Sequence, residues 1–225
     1  GAAQSRRGGL YHRCGLGVYE LMERFLAACP DRLLDGCSGG GGRYDLGMMK
    51  YSTQIWTSDN THPDQRMYIQ YGSSFGYPVS VMSCHVAKLE ECENPRFLDY
   101  RFRLAMNGPL GYELNILKAS DAAKANMKAQ VEEYRKYETL ILEGDFYRLL
   151  NPYETDGKYA YYFVNEDNSE ILFSFLQNFG DKKPKEYRLK ISRALPNVTY
   201  IDKISGKSYE GAELNRGITI TTDTE

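Results

Sequence analysis

Residues 37–59 read CSGGGGRYDLGMMKYSTQIWTSD, a glycine loop followed by a short β-rich run that ends in a carboxylate. Four consecutive glycines allow the backbone to adopt positive φ angles and to approach a ligand closely. Residues 51–56 predict a short strand, so Asp59 follows the carboxyl end of that strand. A carboxylate in this place suits general acid and base chemistry. The combination is typical of a sugar-cleaving site.

Each part of this stretch also has a structural interpretation. Asp59 could be an N-cap or turn residue, since aspartate favours the junction between a strand and a helix. The glycine run could be a phosphate cradle, although it lacks the Gly-Lys-Ser/Thr ending of a P-loop and the G-x-G-x-x-G spacing, or it could be a plain flexible loop. Cys37 could serve as a small buried apolar group. Trp56 could stack on a sugar or fill the core.

Together with other segments, this stretch resembles the α-galactosidases of glycoside hydrolase family 36. The segments that carry the resemblance are YHR at 11–13, CSGGGGRYDLGM at 37–48, QIWTSDNT at 54–61, RMYIQYGSSFGYPVSVMSCHV at 66–86, LGYEL at 110–114 and GDFYRLL at 144–150. The CSGGGGR and WTSDNT motifs at this separation are the most specific of them. The resemblance implies a retaining enzyme that removes terminal α-galactosyl residues from oligosaccharides such as raffinose or melibiose, without a cofactor.

The resemblance also implies roles for individual residues. It places the proton donor and base on Asp59. It places a galactose contact on Cys37, which opens the glycine loop, and it makes Gly40 part of the lining of that loop. We add Trp56 as a substrate-binding candidate because it lies on the strand before the acid.

The chain departs from the family pattern at two places. The family usually has a second acidic residue three positions after the catalytic one, where this chain has His62, and whether His62 or Asp64 replaces that residue stays open. The family's nucleophile is the aspartate of a Lys-Trp-Asp motif, whereas the only tryptophan of this chain is Trp56. Because these 225 residues lack that motif, we expect the isolated chain to be inactive. The alternative is a non-catalytic protein that binds a sugar or a partner.

Charge, apolar stretches and cysteine content argue against several classes of protein. A net charge of −2 and a pI near 6.0 argue against nucleic-acid binding. No stretch approaches the roughly 20 apolar residues of a membrane span, and the N-terminus lacks the apolar core of a signal peptide. Five cysteines without a C-x-x-C pair indicate neither a disulfide framework nor a zinc site. We therefore predict a cytoplasmic protein without a metal, while a homo-oligomer of the full-length enzyme stays open.

Helix and strand signals alternate up to about residue 143. The predicted strands are 32–34, 51–56, 77–82 and 110–116. The predicted helices are 16–26, one from Asn94-Pro95 to Asn107-Gly108, and one over 120–142. A further helix is predicted to begin just after Asp59, where Thr61 and Asp64 form a capping pair and Pro63 lies in the first turn. Such alternation is the signature of parallel βα units. A TIM barrel needs eight strands, and the resemblance implies that these are its later half. An open half barrel has unpaired edges, so we expect a fragment or a chain completed by another polypeptide.

The pattern changes after Gly144. Short β-rich runs occur without helices between them, and they are 146–150, 159–164, 171–175, 187–191, 198–204 and 218–221. Such runs predict an antiparallel sheet or sandwich. We therefore predict two domains, with 1–143 as the C-terminal part of the (β/α)8 catalytic domain and 144–225 as a small antiparallel β-domain.

Overall fold

The computed structural model of the chain describes residues 2–179 and 185–222, with side chains from residue 9 onward. The elements of the first part are α1 Ala2–Ala28, β1 Asp35–Gly36, α2 Leu46–Met49, β2 Gln54–Ile55, α3 Pro63–Ser73, β3 Cys84–Ala87, α4 Leu89–Cys92, α5 Pro95–Ala105, β4 Leu110–Glu113 and α6 Asp121–Glu143. Those of the second part are β5 Asp145–Leu150, β6 Lys158–Val164, β7 Ile171–Gln177, β8 Glu186–Leu189, β9 Thr199–Ile201, β10 Ser208–Glu210, α7 Gly211–Arg216 and β11 Ile218–Thr221. Single 3-10 turns span Val79–Val81 and Ile116–Lys118.

The strands of the first part run parallel and follow one another in chain order. β1 pairs with β2, and β3 pairs with β4. A parallel bridge between Ile55 and Met82 joins the two pairs, and the N–H of Ser83 donates to the carbonyl of Ile55 at 3.0 Å. Because parallel neighbours need a crossover connection, α3 lies between β2 and β3, and α5 lies between β3 and β4. The predicted alternation of parallel βα units is confirmed.

Local signals explain where the helices of this part begin. The side chain of Asn94 accepts hydrogen bonds from the first turn of α5, and Ser120 does the same for α6. Pro63 occupies the first position of α3, as predicted. The predicted capping pair of Thr61 and Asp64 is wrong, because His62 is the N-cap and makes no side-chain cap.

The carboxylate of Asp64 is engaged in a tertiary contact. It accepts a hydrogen bond from the hydroxyl of Tyr100 at 2.7 Å and from the N–H of Phe179 at 3.1 Å. The ring of Phe179 packs against Phe97, with 4.8 Å between centroids. Asp64 thus ties α3 to α5 and to the segment that follows β7.

The predicted strand over 77–82 is wrong. Residues Val79–Val81 form a 3-10 turn, in which the N–H of Val81 donates to the carbonyl of Pro78 and the N–H of Met82 to that of Val79. Proline fixes φ and has no N–H for a strand ladder, so the chain turns here first. The strand β3 begins only at Cys84.

The second part is antiparallel. β5, β6 and β7 form one sheet with β6 in the centre, while β8 pairs with β11 and β9 with β10. All seven residues of β6 are buried, because its alternating side chains enter two different cores. Tyr159, Tyr161 and Phe163 join the core that continues into α5 and α6. Tyr162 and Val164 pack with the residues between β8 and β11.

Two further observations concern the part of the chain that the structure describes. None of its helices combines the length and the apolar character that a bilayer crossing requires. Within the same residues, no group of three or more His, Cys, Asp or Glu side chains is arranged to hold a metal ion.

Candidate active site

Asp59 lies in the loop between β2 and α3, with its side chain exposed to solvent. Its Oδ1 accepts a hydrogen bond from the indole Nε1 of Trp56 at 3.0 Å. Trp56 is only 8% exposed, and a buried indole N–H usually finds a hydrogen-bond partner. The carboxylate is therefore oriented by a hydrogen bond from the protein, in a residue that is exposed to solvent.

The glycine loop packs directly against Asp59. Gly40 has φ +74, and a Cβ at this position would lie 3.0 Å from the backbone nitrogen of Asp59 and 3.2 Å from its Oδ2. Gly41 has φ +93, and a Cβ there would lie 2.5 Å from the carbonyl oxygen of Thr57. Both glycines have a positive φ that favours glycine, and Gly41 in addition has no room for a Cβ. The N–H of Gly42 closes the loop by donating to the carbonyl of Ser38 at 3.2 Å.

We expect Gly41→Ala to destabilise the chain more than Gly39→Ala. Both positions have positive φ, at +93 and +66, which costs an alanine about 1–2 kcal/mol. Only Gly41 faces another backbone segment, whereas a Cβ at Gly39 meets nothing within 4 Å. The clash at Gly41 adds roughly 1–3 kcal/mol. Urea unfolding followed by circular dichroism measures both changes, and equal losses for the two variants would contradict this account of the loop.

The structure brings three of the four predicted site residues into contact, namely Asp59, Gly40 and Trp56. The fourth, Cys37, is an exposed free thiol at the start of the loop, directly after β1. Since β1 and β2 are parallel, their carboxyl ends meet at one edge, and this pairing places Cys37 at the same edge as Asp59. Its galactose contact stays a prediction.

The ring of Trp56 is enclosed by protein groups. The imidazole of His85 lies at 4.9 Å between ring centroids, and the guanidinium of Arg66 lies 4.9 Å from the indole. His85 is half-buried on β3 opposite Gly111 in β4. Burial lowers the pKa of His85, and the nearby Asp35 and Glu113 offset part of that effect. The substrate-binding role of Trp56 stays a prediction.

Sequence reasoning missed two buried arginines behind the Asp59 loop. Arg66 on α3 and Arg101 on α5 are each 3% exposed, and both donate hydrogen bonds to backbone carbonyls of this loop. Burial lowers the pKa of Arg66. For Arg66 the sequence contains one signal of burial. Arg66 and Gln70 are one helical turn apart on α3, and both lie on the buried face together with the apolar Met67.

The chain is similar in sequence to a known family and to proteins of known activity. The profile of the family described as Melibiase matches residues 2–144. The chain is 42% identical over 221 residues to the bifunctional alpha-galactosidase/sucrose kinase AgaSK of Mediterraneibacter gnavus, a match that covers 97% of this chain and 24% of that protein. It is 39% identical to alpha-galactosidase AgaA of Geobacillus stearothermophilus, over 90% of this chain and 28% of that protein.

Solved structures of the same relatives resemble the chain closely. A variant of the GH36 α-galactosidase AgaA from Geobacillus stearothermophilus in complex with raffinose has a TM-score of 0.86 and 36% identity, over 98% of this chain and 31% of that one. Another AgaA variant in complex with stachyose has a TM-score of 0.84 and 36% identity, over 95% and 30%. The chain thus spans between 24% and 31% of the length of these proteins.

Proposed function

The chain belongs to the melibiase family, the α-galactosidases of glycoside hydrolase family 36, and from this premise we propose that it carries the acid/base part of a retaining α-galactosidase. The observation that supports the proposal is the contact set of Asp59. Asp59 is an exposed residue whose carboxylate accepts a hydrogen bond from the indole of Trp56 and lies beside Gly40. An oriented carboxyl group beside a loop that a sugar can approach is what proton transfer to a glycosidic oxygen requires.

In this mechanism Asp59 acts twice. The protonated Asp59 gives its proton to the glycosidic oxygen while the bond between that oxygen and the anomeric carbon breaks. A nucleophilic carboxylate forms the new bond to the anomeric carbon, which gives a covalent galactosyl-enzyme. The Asp59 carboxylate then takes a proton from water, and the water oxygen displaces the enzyme carboxylate to release galactose. The residues of this chain contain no Lys-Trp-Asp motif, so in this proposal the nucleophile comes from outside them.

We extend the proposal to the architecture. The consecutive parallel strands β1 to β4 would be the later half of a (β/α)8 barrel, and the antiparallel strands from β5 onward would form a C-terminal β-sandwich. Three observations support a boundary between Glu143 and Gly144: the long helix α6 ends at Glu143, the melibiase match ends at 144, and strand direction changes from parallel to antiparallel. The chain covers less than a third of the length of its relatives, which supports the view that the barrel is completed by residues outside this chain.

Substrate and setting follow from the same proposal. Complexes of AgaA variants with raffinose and stachyose support α-galactosides of the raffinose type as substrates. All five cysteines are free thiols, which supports a reducing compartment, and we therefore propose the cytoplasm.

A chimera tests the function directly. The part of AgaA that precedes the matching region is joined to this chain, which has 36% identity and a TM-score of 0.86 to the portion it replaces. We expect the chimera to hydrolyse melibiose and raffinose and to release α-galactose first, as followed by proton NMR, whereas the isolated chain has no turnover. Circular dichroism and gel filtration verify folding, with AgaA as the reference. A folded chimera without turnover would contradict the proposal.

The second candidate is a sugar-binding protein that cleaves nothing. The absence of the Lys-Trp-Asp motif from these residues favours it. Calorimetric titration of the isolated chain with galactose separates the two candidates. Saturable binding together with an inactive, folded chimera would support the binding protein, and an active chimera would exclude it as the main account.

A further inference from the structure

We propose that Arg66 and Arg101 are positioning residues, two buried guanidinium groups that hold the Asp59 loop from behind at carbonyls on either side of the acid. The inference rests on the proposed function, in which Asp59 transfers the proton. The two carbonyls belong to Ser58 and Thr61, so the held segment of backbone contains Asp59.

Arg66 reaches the loop from α3. Its Nη1 donates to the carbonyl of Ser58 at 3.2 Å, and its Nη2 donates to the carbonyl of Ser83 at 2.6 Å. The Asp59 loop is thereby tied to the residue that precedes β3. The same guanidinium lies over the indole of Trp56, whose N–H binds the Asp59 carboxylate. Arg66 therefore contacts the backbone next to Asp59 and also the Trp56 indole, which donates a hydrogen bond to the Asp59 carboxylate.

Arg101 reaches the other side of the loop from α5. Its Nη1 donates to the carbonyl of Thr61 at 2.7 Å, and its Nη2 pairs with the carboxylate of Glu91. The guanidinium also lies 5.1 Å from the ring of Phe97. Glu91 and Phe97 thus contact the same guanidinium that binds the Thr61 carbonyl, which connects this carbonyl to the helices α4 and α5.

The charges explain why arginine is needed at both positions. Burial of a cation is unfavourable unless hydrogen bonds compensate it. Among the described residues no carboxylate forms an ion pair with Arg66. Its guanidinium instead meets two carbonyls, the amide oxygen of Gln70, the side chain of Cys84 and an aromatic face. The planar guanidinium donates in several fixed directions at once, whereas a lysine ammonium cannot reproduce that geometry. Charged donors also make stronger bonds to carbonyls than neutral ones.

The test compares Arg66→Lys and Arg101→Lys in the AgaA chimera, with Arg103→Lys as the matched control. Arg103 lies on the same helix as Arg101 and is ion-paired with Asp99 and Glu133, so its substitution by lysine removes a planar guanidinium without touching the loop. Each variant is assayed on melibiose, whose sugar leaving group needs a proton, and on 4-nitrophenyl α-galactoside, whose leaving group needs much less.

We expect each loop variant to lose about 10- to 10²-fold in kcat/KM on melibiose, since a 1 Å misplacement of a reacting group has an effect of that order. The loss on the aryl substrate should be several-fold smaller. A purely structural role would lower the active fraction and hence both rates equally, as we expect for any loss caused by Arg103→Lys. Equal losses on the two substrates in the loop variants would overturn the proposal.

Hydrogen exchange of the isolated chain supplies a readout that does not depend on activity. We expect the amides of residues 57–62 to exchange faster in both loop variants than in the Arg103→Lys control. If the unsubstituted chimera proves inactive, the proposed function fails, and the exchange measurement still decides whether the arginines hold the loop. Unchanged exchange in the loop variants would overturn the positioning role.

Discussion

Asp59→Asn in the AgaA chimera should lower kcat/KM on melibiose by about 10²- to 10⁴-fold, the range expected when a general acid is removed. Asparagine keeps the size of the side chain and an oxygen that can accept the bond from Trp56, so the loop should keep its geometry. What it removes is the proton that the leaving sugar requires. The loss on 4-nitrophenyl α-galactoside should be smaller at the first step, because that leaving group departs with little assistance.

Azide separates loss of the acid/base from general damage. The anion attacks the galactosyl-enzyme without deprotonation, so it should restore turnover of the aryl substrate by the Asp59→Asn variant and give a galactosyl azide with the configuration of the substrate. The matched control is Asp121→Asn, the same substitution at an exposed position at the start of α6, which should leave both rates unchanged. Nearly full activity of Asp59→Asn on melibiose would show that another group transfers the proton.

The elements that the sequence predicted well have strong local signals. The helix α5 follows an Asn-Pro start, and the helix α6 follows a serine cap, so short-range hydrogen bonds determine where both begin. The strand over 77–82 failed because its β-forming residues follow Pro78 and close a 3-10 turn instead. The sequence alone does not separate Ala125, which is exposed on α6, from Met127, which is buried. That difference depends on which face of the helix meets the core.

The site was predicted only where motifs mark it. The glycine loop and Asp59 are recognisable in the sequence, but their contact results from the parallel pairing of β1 with β2, which is long-range. Arg66 begins the segment 66–86 that carries part of the family resemblance, but nothing in that segment assigns a role to it, and Arg101 lies outside every such segment. A buried arginine on a helix looks like a surface one in a single sequence, and only the tertiary contacts of Arg66 and Arg101 with the loop distinguish them.

Phe102→Ala should lower the free energy of unfolding of the chain by about 3–5 kcal/mol, the usual cost of removing a buried aromatic ring. Phe102 is 0% exposed on α5 and belongs to the core that also contains Val86 of β3 and Tyr159 of β6. A cavity there removes contacts from the parallel strands and from the antiparallel sheet at once. Urea unfolding followed by circular dichroism measures the change.

The control for this prediction is Phe75→Ala, which removes the same ring from a site that is 63% exposed. Phe75 contacts Tyr71 at 5.1 Å between ring centroids and the guanidinium of Arg148 at 4.0 Å, so its loss should cost only about 1 kcal/mol. Because the two substitutions remove the same side chain, their difference compares a buried ring with an exposed one. Equal losses would mean that Phe102 does not lie in a well-packed core. Two separate transitions in urea, in place of the single one that a shared core predicts, would mean that the parallel strands and the antiparallel sheet unfold independently.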